Sequence, residues 1–268
     1  MKHIINFSGG LCSFWAAWRV VQKHGTKDTV LLFADTLIED EELYEFNKQA
    51  SALLGVPITR IAQGQTPWEL FRSHNMIGNN RFPICSIYLK REPLDRWHRE
   101  HCMEMDSILY MGFDWNEEKR LKDLRRELPH WRIEAPMTQE PIWDKCRMTK
   151  EAEALGLKIP RLYTLGFPHN NCGGRCVRAG ISHWVHLLSV LPDRFKEWED
   201  EEWNTAEHLR QQGIEPLSIL KDRRGGETNN LYLRDLRARV EAGEKFNRFD
   251  WGGCGCGGST KPNEPLPA

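Results

Sequence analysis

Residues 3–13 of the chain read His-Ile-Ile-Asn-Phe-Ser-Gly-Gly-Leu-Cys-Ser, and this stretch decides the fold class. Residues 3–7 form a short apolar run that predicts a strand, and Ser8, Gly9 and Gly10 predict the turn that ends it. From Leu11 onward, apolar side chains recur at spacings of three and four, as on one face of a helix. The stretch therefore predicts a strand, a tight turn and a helix in succession.

The same alternation continues along the chain. A second apolar run covers residues 29–34, an acidic helix start follows at residues 39–42, and residues 57–61 form a third short run. Strands that alternate with helices predict βαβ units and a parallel sheet. We therefore expect an α/β fold with a Rossmann-like parallel sheet sandwiched by helices. Further strands are predicted at residues 107–113 and 131–137, a loop at 162–178, and helices at 117–127, 142–155, 182–203 and 231–244.

The turn after the first predicted strand has the composition of a phosphate-binding loop. Gly9 and Gly10 let the backbone approach an anion, the helix N-terminus offers N–H groups, and Ser8 and Ser13 add hydroxyl donors. Ser and Gly are also common in ordinary turns and helix caps. Asp35 favours the functional interpretation, because it ends the next strand and ligands bind at the carboxyl ends of parallel strands.

The bulk composition limits the partners. The 268-residue chain has 37 Lys and Arg against 38 Asp and Glu, a formal net charge of -1. This balance excludes a strongly polybasic nucleic-acid-binding protein and leaves room for a local basic groove. No stretch approaches about 18 uninterrupted apolar residues, so no membrane span is predicted. We expect a cytoplasmic protein with no membrane partner.

Eight cysteines in a cytoplasmic chain indicate something other than disulfides. Two close pairs, Cys172 with Cys176 and Cys254 with Cys256, suggest a metal, a cluster or redox chemistry. The two pairs together could supply four thiolates to Zn²⁺. We expect the side chains of Cys12, Cys102 and Cys146 to be small apolar groups buried in the core.

Several segments resemble one enzyme superfamily. Ser-Gly-Gly-x-x-Ser at residues 8–13 resembles the PP-loop of the adenine-nucleotide alpha-hydrolase-like enzymes, which include ATP pyrophosphatases, tRNA-thiolating enzymes and phosphoadenylyl-sulfate (PAPS) reductases. Cys85 with residues 89–94 is similar to the Cys-x-x-x-x-Lys-x-x-Pro-Leu segment of the PAPS reductases. The resemblance covers roughly residues 3–185. Its other matching pieces are residues 32–36, 42–46, 112–120, Pro136, Ile142, Trp143, Pro160, Tyr163, Gly166 and Phe167.

The resemblance implies a nucleotide site and a choice of nucleotide. The intact Gly9 and Gly10 favour ATP, because true PAPS reductases usually carry a degraded, serine-rich loop. Asp35 is then expected to help hold Mg²⁺ and to act in catalysis. Asp114 stands where the family has an arginine, which puts an anion contact there in doubt. The nucleotide contacts implied by the resemblance are Ser8, Gly9, Gly10, Ser13, Asp35, Lys90, Gly112 and Arg120.

The resemblance also suggests roles for the cysteines. Cys85, Cys172 and Cys176 could hold a [4Fe-4S] cluster with one open iron, as in tRNA-thiolating relatives, with the zinc site as the alternative. Cys254 and Cys256 resemble a doubled version of the catalytic tail cysteine of PAPS reductases. Such a thiol would need a thioredoxin-like reductant, whereas sulfur insertion would need a sulfur donor.

Three functions remain after the sequence is considered. The first is ATP-dependent adenylylation linked to sulfur chemistry on a tRNA base, a DNA base or a small molecule. The second is reduction of PAPS or adenylyl sulfate with release of sulfite, and the third is nucleotide binding without catalysis. The predicted organisation is a PP-loop nucleotide-binding domain at residues 1–185, a helical extension at 186–250 and a flexible Cys/Gly-rich tail at 251–268.

Overall fold

The structure is a computed structural model and describes residues 1–253. Its centre is a five-stranded sheet in the order β3-β2-β1-β4-β5, with every neighbouring pair parallel. The predicted α/β class with a Rossmann-like parallel sheet is confirmed. The strands are β1 (Lys2–Asn6), β2 (Thr29–Asp35), β3 (Ile58–Ala62), β4 (Ser107–Met111) and β5 (Arg132–Glu134).

The strand order creates a crevice beside β1. The chain runs outward from β1 to β3 and then returns to the other side of β1 as β4. Asn6, the last residue of β1, therefore pairs with Leu32 of β2 on one side and Met111 of β4 on the other. Where the strand order reverses, the loops after β1 and β4 diverge and leave a binding crevice.

Helices cover both faces of the sheet. They are α1 (Leu11–His24), α2 (Glu41–Leu54), α3 (Pro67–Ser73), α4 (Ile84–Ser86), α5 (Glu92–His101), α6 (Glu118–Glu127), α7 (Lys145–Ala154), α8 (Arg161–Thr164), α9 (Ile181–Val190), α10 (Pro192–Gln211) and α11 (Leu233–Glu241). A π-helical turn, Ile87–Arg91, joins α4 to α5.

Both faces of the sheet are buried. Ile5 contributes to a cluster under α1, α2 and α7, whereas the adjacent Ile4 contributes to a cluster under α5 and α6. Both isoleucines are 0% exposed, because successive side chains of a strand point to opposite faces. This burial explains why the strands read as continuous apolar runs in the sequence.

The C-terminal helices and an antiparallel hairpin, β6 (Leu220–Asp222) with β7 (Asn229–Leu231), pack on a third cluster. Glu202 of α10 holds this part together. Its carboxylate accepts hydrogen bonds from the N–H groups of Ile219 (2.8 Å) and Leu233 (2.6 Å), and burial raises its pKa to about 8. The cluster draws on residues from both sides of residue 185, and the predicted division there stays a prediction.

Several predicted elements differ from the structure in extent. The predicted helix 182–203 is two helices, α9 and α10, which separate at Leu191 because Pro192 cannot continue the hydrogen-bond ladder. The predicted strand 131–137 is shorter, Arg132–Glu134. The predicted loop 162–178 contains most of α8.

The last described residues are attached to the start of α9. Gly252 forms an antiparallel bridge with Ala179, and the carbonyl of Asp250 accepts the N–H of Ser182 at 2.9 Å. The tail cysteines Cys254 and Cys256 lie outside the described residues. Within residues 1–253, none of the helices is long and apolar enough to cross a membrane.

Candidate active site

A cavity of about 570 Å³ occupies the crevice at the carboxyl ends of β1 and β4. Its volume lies in the range of small-molecule sites. Most of the predicted nucleotide contacts line it, whereas Gly9 and Asp35 lie behind the lining. The predicted residues in the lining are Ser8, Gly10, Ser13, Lys90, Gly112 and Arg120.

The turn after β1 has its shape because α2 packs against it. Gly9 has a φ of +76°, in the left-handed region that favours glycine. A Cβ at Gly9 would lie 2.7 Å from both Leu43 Cγ and Asn47 Oδ1. Gly9 is therefore required by backbone conformation and packing, and its neighbour Gly10 faces the cavity.

The hydroxyl groups of the loop form a short network at the start of α1. Ser13 Oγ donates to the carbonyl of Gly10 at 2.8 Å and accepts the Gly10 N–H at 3.2 Å. Ser8 Oγ donates to Ser13 Oγ at 3.2 Å. Tyr163 Oη accepts the N–H of Leu11 at 3.1 Å. Residues 11–14 include no acidic side chain, so the positive end of the α1 dipole is not neutralised within the first turn.

The turn after β4 forms the opposite wall and touches the loop directly. A Cβ at Gly112 would lie 2.6 Å from Ser13 Cα, so only glycine permits this backbone approach. Beyond it, the Asp114 carboxylate accepts the N–H of Trp115 at 2.6 Å, and Glu117 Oε2 accepts the N–H of Asp114 at 2.8 Å. Arg120 forms an ion pair with Glu117.

Basic side chains approach the cavity from other elements. Lys90 lies on the π-helical turn, a feature frequent at functional sites. Lys145, at the start of α7, also lines the cavity and donates to the carbonyl of Pro168. With Arg120 they give three cations, against the lining carboxylates Asp114 and Glu117. Two of these cations are paired with carboxylates, Lys90 with Glu39 and Arg120 with Glu117, so the site has no excess of positive charge. The cavity nevertheless brings hydroxyls and three cationic side chains together, a set that suits a phosphate-bearing ligand.

Asp35 ends β2 as the sequence predicts, but its side chain does not line the cavity. Its side chain is fully buried, and one carboxylate oxygen accepts from the Leu37 N–H (2.8 Å) and Tyr44 Oη (3.0 Å). The other oxygen accepts from Arg60 Nε at 2.7 Å. Burial and the adjacent Asp35 charge raise the pKa of Tyr44. Asp35 thus stabilises the end of β2 behind the cavity, and its predicted role with Mg²⁺ does not fit this arrangement.

Asn170 and Trp115 line the cavity, and the sequence analysis does not identify either of them. Asn170 is almost fully buried, lines the cavity and donates from Nδ2 to the carbonyl of Gly9 at 3.0 Å. It belongs to a predicted loop far along the chain, so local sequence holds no sign of this contact. His169 and Asn171 flank it in the lining. Trp115 extends from the turn after β4.

The three cysteines proposed as cluster ligands do come together. Cys85, Cys172 and Cys176 line a space of about 10 Å³, roughly the room that one water needs. Lys90 Nζ lies 3.7 Å from Cys172 Sγ. Across residues 1–253, no group of three or more His, Cys, Asp or Glu is arranged to hold a metal ion. The expected three-cysteine cluster site is therefore not formed in this arrangement.

Cys12 lies in the lining, although the sequence analysis assigns it to the interior. Burial and, to a smaller extent, the charge of Asp114 raise the pKa of its thiol to about 11, while Lys145 opposes the shift. A thiol with this pKa stays protonated near neutral pH and is a poor nucleophile.

Comparisons with known proteins identify no family from sequence. No family model matches the chain, and no curated protein matches it. Among solved structures, the chain is similar to a phosphoadenylyl-sulfate (PAPS) reductase from Candida auris in complex with phosphate, with a TM-score of 0.44 and 16% sequence identity. The match covers 62% of this chain and 77% of that one. What the cavity binds is therefore inferred from its own residues.

Proposed function

We propose that this protein is an enzyme that binds an adenine nucleotide in the cavity, with the phosphates on the loop of residues 8–13. One observation carries the proposal: the Ser-Gly-Gly loop and the turn at Gly112 meet at the switch point of a parallel sheet, around a cavity of about 570 Å³. A strand-to-helix turn of this kind presents N–H groups to an anion. Lys90, Arg120 and Lys145 add the positive charge that a polyphosphate requires.

The rest of the lining suits the nucleoside. Leu32, Phe33 and Ala34, at the end of β2, form an apolar surface on one side of the phosphate loop. A nucleotide with its phosphates against Ser8 and Gly10 can place its base on this surface. We assign ATP as the nucleotide, because the complete Ser-Gly-Gly-x-x-Ser loop resembles that of the ATP-using enzymes in the superfamily.

The proposed reaction is adenylylation followed by sulfur transfer. An acceptor oxygen attacks the α-phosphorus of ATP, a new O–P bond forms, and the bond to the β-phosphate breaks to release pyrophosphate. A sulfur nucleophile from a donor then displaces AMP from the acceptor. In the first step, negative charge grows on the phosphate oxygens, and the loop N–H groups with Lys90 and Lys145 stabilise it. The acceptor is a nucleic-acid base or a small molecule.

The metal groups implied by the superfamily fit the described residues poorly. Both oxygens of Asp35 are occupied, and Lys90 stands beside the thiol of Cys172. Neither Mg²⁺ at Asp35 nor an iron–sulfur cluster at the three cysteines is part of the proposed steps. A zinc site that includes Cys254 and Cys256 would rest on residues outside the described range.

Reduction of PAPS is the second candidate, and the chain path before the tail favours it. The bridge between Ala179 and Gly252 holds the end of the described chain next to Ala179, which follows Cys176 by three residues and precedes α9. In this reaction a tail thiolate attacks the sulfur of PAPS, the S–O bond to the nucleotide breaks, and a second thiol releases sulfite as a disulfide forms.

The phosphate site can be tested at Ser8, which is exposed and therefore tolerant of substitution. Ser8→Asp places a negative charge against the ligand phosphates, whereas Ser8→Asn is a neutral control of the same shape. An acid beside the N-terminus of α1 does not harm the helix. We expect Ser8→Asp to bind ATP at least about tenfold more weakly than Ser8→Asn in calorimetric titrations.

Equal ATP affinity in the two Ser8 variants would contradict the phosphate assignment. Turnover assays on the wild type then separate the candidates. Pyrophosphate release from ATP supports adenylylation, and sulfite release from PAPS with a dithiol reductant supports the reductase. Tight binding of either nucleotide without turnover across acceptor and reductant screens would select a nucleotide-binding protein without catalysis.

A further inference from the structure

Trp115 is unusual among the eleven tryptophans of the chain, all of which lie within the described residues. Its side chain is 51% exposed, whereas the others are buried or half-buried. Single exposed apolar side chains are common and need no functional explanation. The position of Trp115 is what distinguishes it, because this residue lines the large cavity.

The backbone at Trp115 is held in place on both sides. Its own N–H is bonded to the Asp114 carboxylate at 2.6 Å, and Glu117 bonds back to the N–H of Asp114 at 2.8 Å, which completes a capping box. Arg120 pairs with Glu117 and lies over the ring of Phe113, with the guanidinium carbon 4.6 Å from the ring centroid. An aromatic side chain on a fixed backbone loses little conformational entropy when a ring stacks on it.

The strand order gives the cavity two separate apolar surfaces. Because β1 lies between β2 and β4, the phosphate loop after β1 separates the surface at Leu32, Phe33 and Ala34 from Trp115. A nucleotide carries one base and can occupy only one of these surfaces. The β2 surface is buried, and the indole lies where a second molecule can arrive from solvent.

We propose that Trp115 is a stacking platform for the planar heterocycle of the second substrate, the acceptor. The proposal rests on the proposed function, because it assumes that a nucleotide occupies the phosphate loop and the β2 surface. Every nucleobase has a flat π-face, so a platform of this kind selects for ring shape and leaves the base identity to other contacts. The acceptor class is then a nucleobase or a similar heterocycle, which approaches the phosphates from the β4 side.

The test measures nucleoside binding to the protein saturated with α,β-methylene-ATP. Adenosine, guanosine, cytidine and uridine are the probes, and saturation-transfer NMR reports their ring protons. We expect ring signals with the wild type, and binding about 5- to 150-fold weaker with Trp115→Ala, the equivalent of one lost stacking contact. Trp115→Phe keeps a flat face and should retain most of the signal.

Three results would overturn the proposal. They are absence of ring signals with the nucleotide-bound wild type, equal signals with Trp115→Ala, and weaker binding of α,β-methylene-ATP but not of tripolyphosphate in Trp115→Ala. The last result would place the nucleotide's own base on the indole. Failure of the proposed function is distinguishable, because it would appear in the Ser8 pair, independently of Trp115.

Discussion

Residues 8–13 and residues 172–176 are two glycine-containing turns that lie on either side of Lys90 and differ in what they expose. The first turn faces the large cavity through Ser8 and Gly10. The second is packed away: its carbonyl groups at Gly173 and Gly174 accept from Arg194 (3.0 Å) and His183 (2.7 Å). The first turn also has internal hydrogen bonds, but it lies at the cavity wall, whereas the second turn is buried and its polar groups hold the fold.

The difference lies in how each turn obtains its shape. Gly9 reaches a φ of +76° at little cost because it has no Cβ. Cys172 has a φ of +55°, which costs a residue with a side chain about 1–2 kcal/mol, so its surroundings must hold it there. Glu39 does so by accepting the N–H of Cys172. The conformation of Cys172 is thus maintained by a hydrogen bond to a buried carboxylate, which suits a structural role for this residue.

The largest effect is expected from removing the ion pair between Lys90 and Glu39, which lies beside the second turn. Lys90 Nζ lies 3.2 Å from Glu39 Oε1, and the Glu39 side chain is almost fully buried. Lys90→Met leaves that carboxylate without its cation, so we expect a loss of about 3–5 kcal/mol in the free energy of unfolding. Urea denaturation measures it. The double variant Lys90→Met with Glu39→Gln should recover part of the loss, and no recovery would show that the pair does not act as a unit.

The next largest effect is expected at Gly9, where a substitution tests whether packing against α2 shapes the first turn. In Gly9→Ala, left-handed strain adds to a Cβ contact of 2.7 Å with Leu43, so we expect a loss of about 2–5 kcal/mol. Gly64→Ala is the matched control, because Gly64 has a φ of +75° and nothing within 4 Å of the added Cβ. It should lose only the strain, about 1–2 kcal/mol. Equal losses in the two variants would mean that α2 does not constrain the loop.

A smaller effect is expected on the contact between the two walls of the cavity. Gly112→Ala places a Cβ 2.6 Å from Ser13 Cα and should push the β4 turn away from the loop. We expect a stability loss of about 1–3 kcal/mol together with weaker ATP binding. Neither Gly9 nor Gly112 has room for a Cβ, but only Gly112 lines the cavity. The two variants therefore separate a loss of packing from a change at the ligand site. Unchanged ATP affinity in the folded Gly112→Ala protein would argue against a ligand that spans both walls.

The smallest effect concerns thiol reactivity. Cys12 has a pKa raised to about 11, whereas Cys146 is exposed. Because the thiolate is the reactive form, alkylation of Cys12 should be slow at pH 8 and rise about tenfold per pH unit until the pH passes about 11. Mass spectrometry after iodoacetamide treatment of the native protein should show Cys146 modified first. Rapid alkylation of Cys12 at pH 8 would contradict its protonated state.

Local sequence was sufficient to predict the parallel sheet and the turn at residues 8–13. The runs at residues 3–7 and 29–34 predict β1 and β2 to within one residue at each end, because strands buried on both faces are continuously apolar. The run at residues 57–61 predicts β3 equally closely, although the residues of β3 are half-buried or exposed. Ser8, Gly10 and Gly112 line the cavity, since a turn between a strand and a helix places its backbone at the edge of the sheet, and their contact with a nucleotide stays a prediction.

Other features were decided by contacts between distant parts of the chain. Arg60 and Tyr44 occupy the oxygens of Asp35, Asn170 reaches back to Gly9, and Trp115 lines the cavity across the phosphate loop from β2. None of these follows from spacing, because each depends on which side chains the packing brings together. The sequence by itself determined the fold class and the position of the phosphate loop, which depend on backbone conformation and burial. The tertiary structure alone decided which carboxylates, thiols and aromatic rings remain available to a ligand, because that depends on where side chains converge.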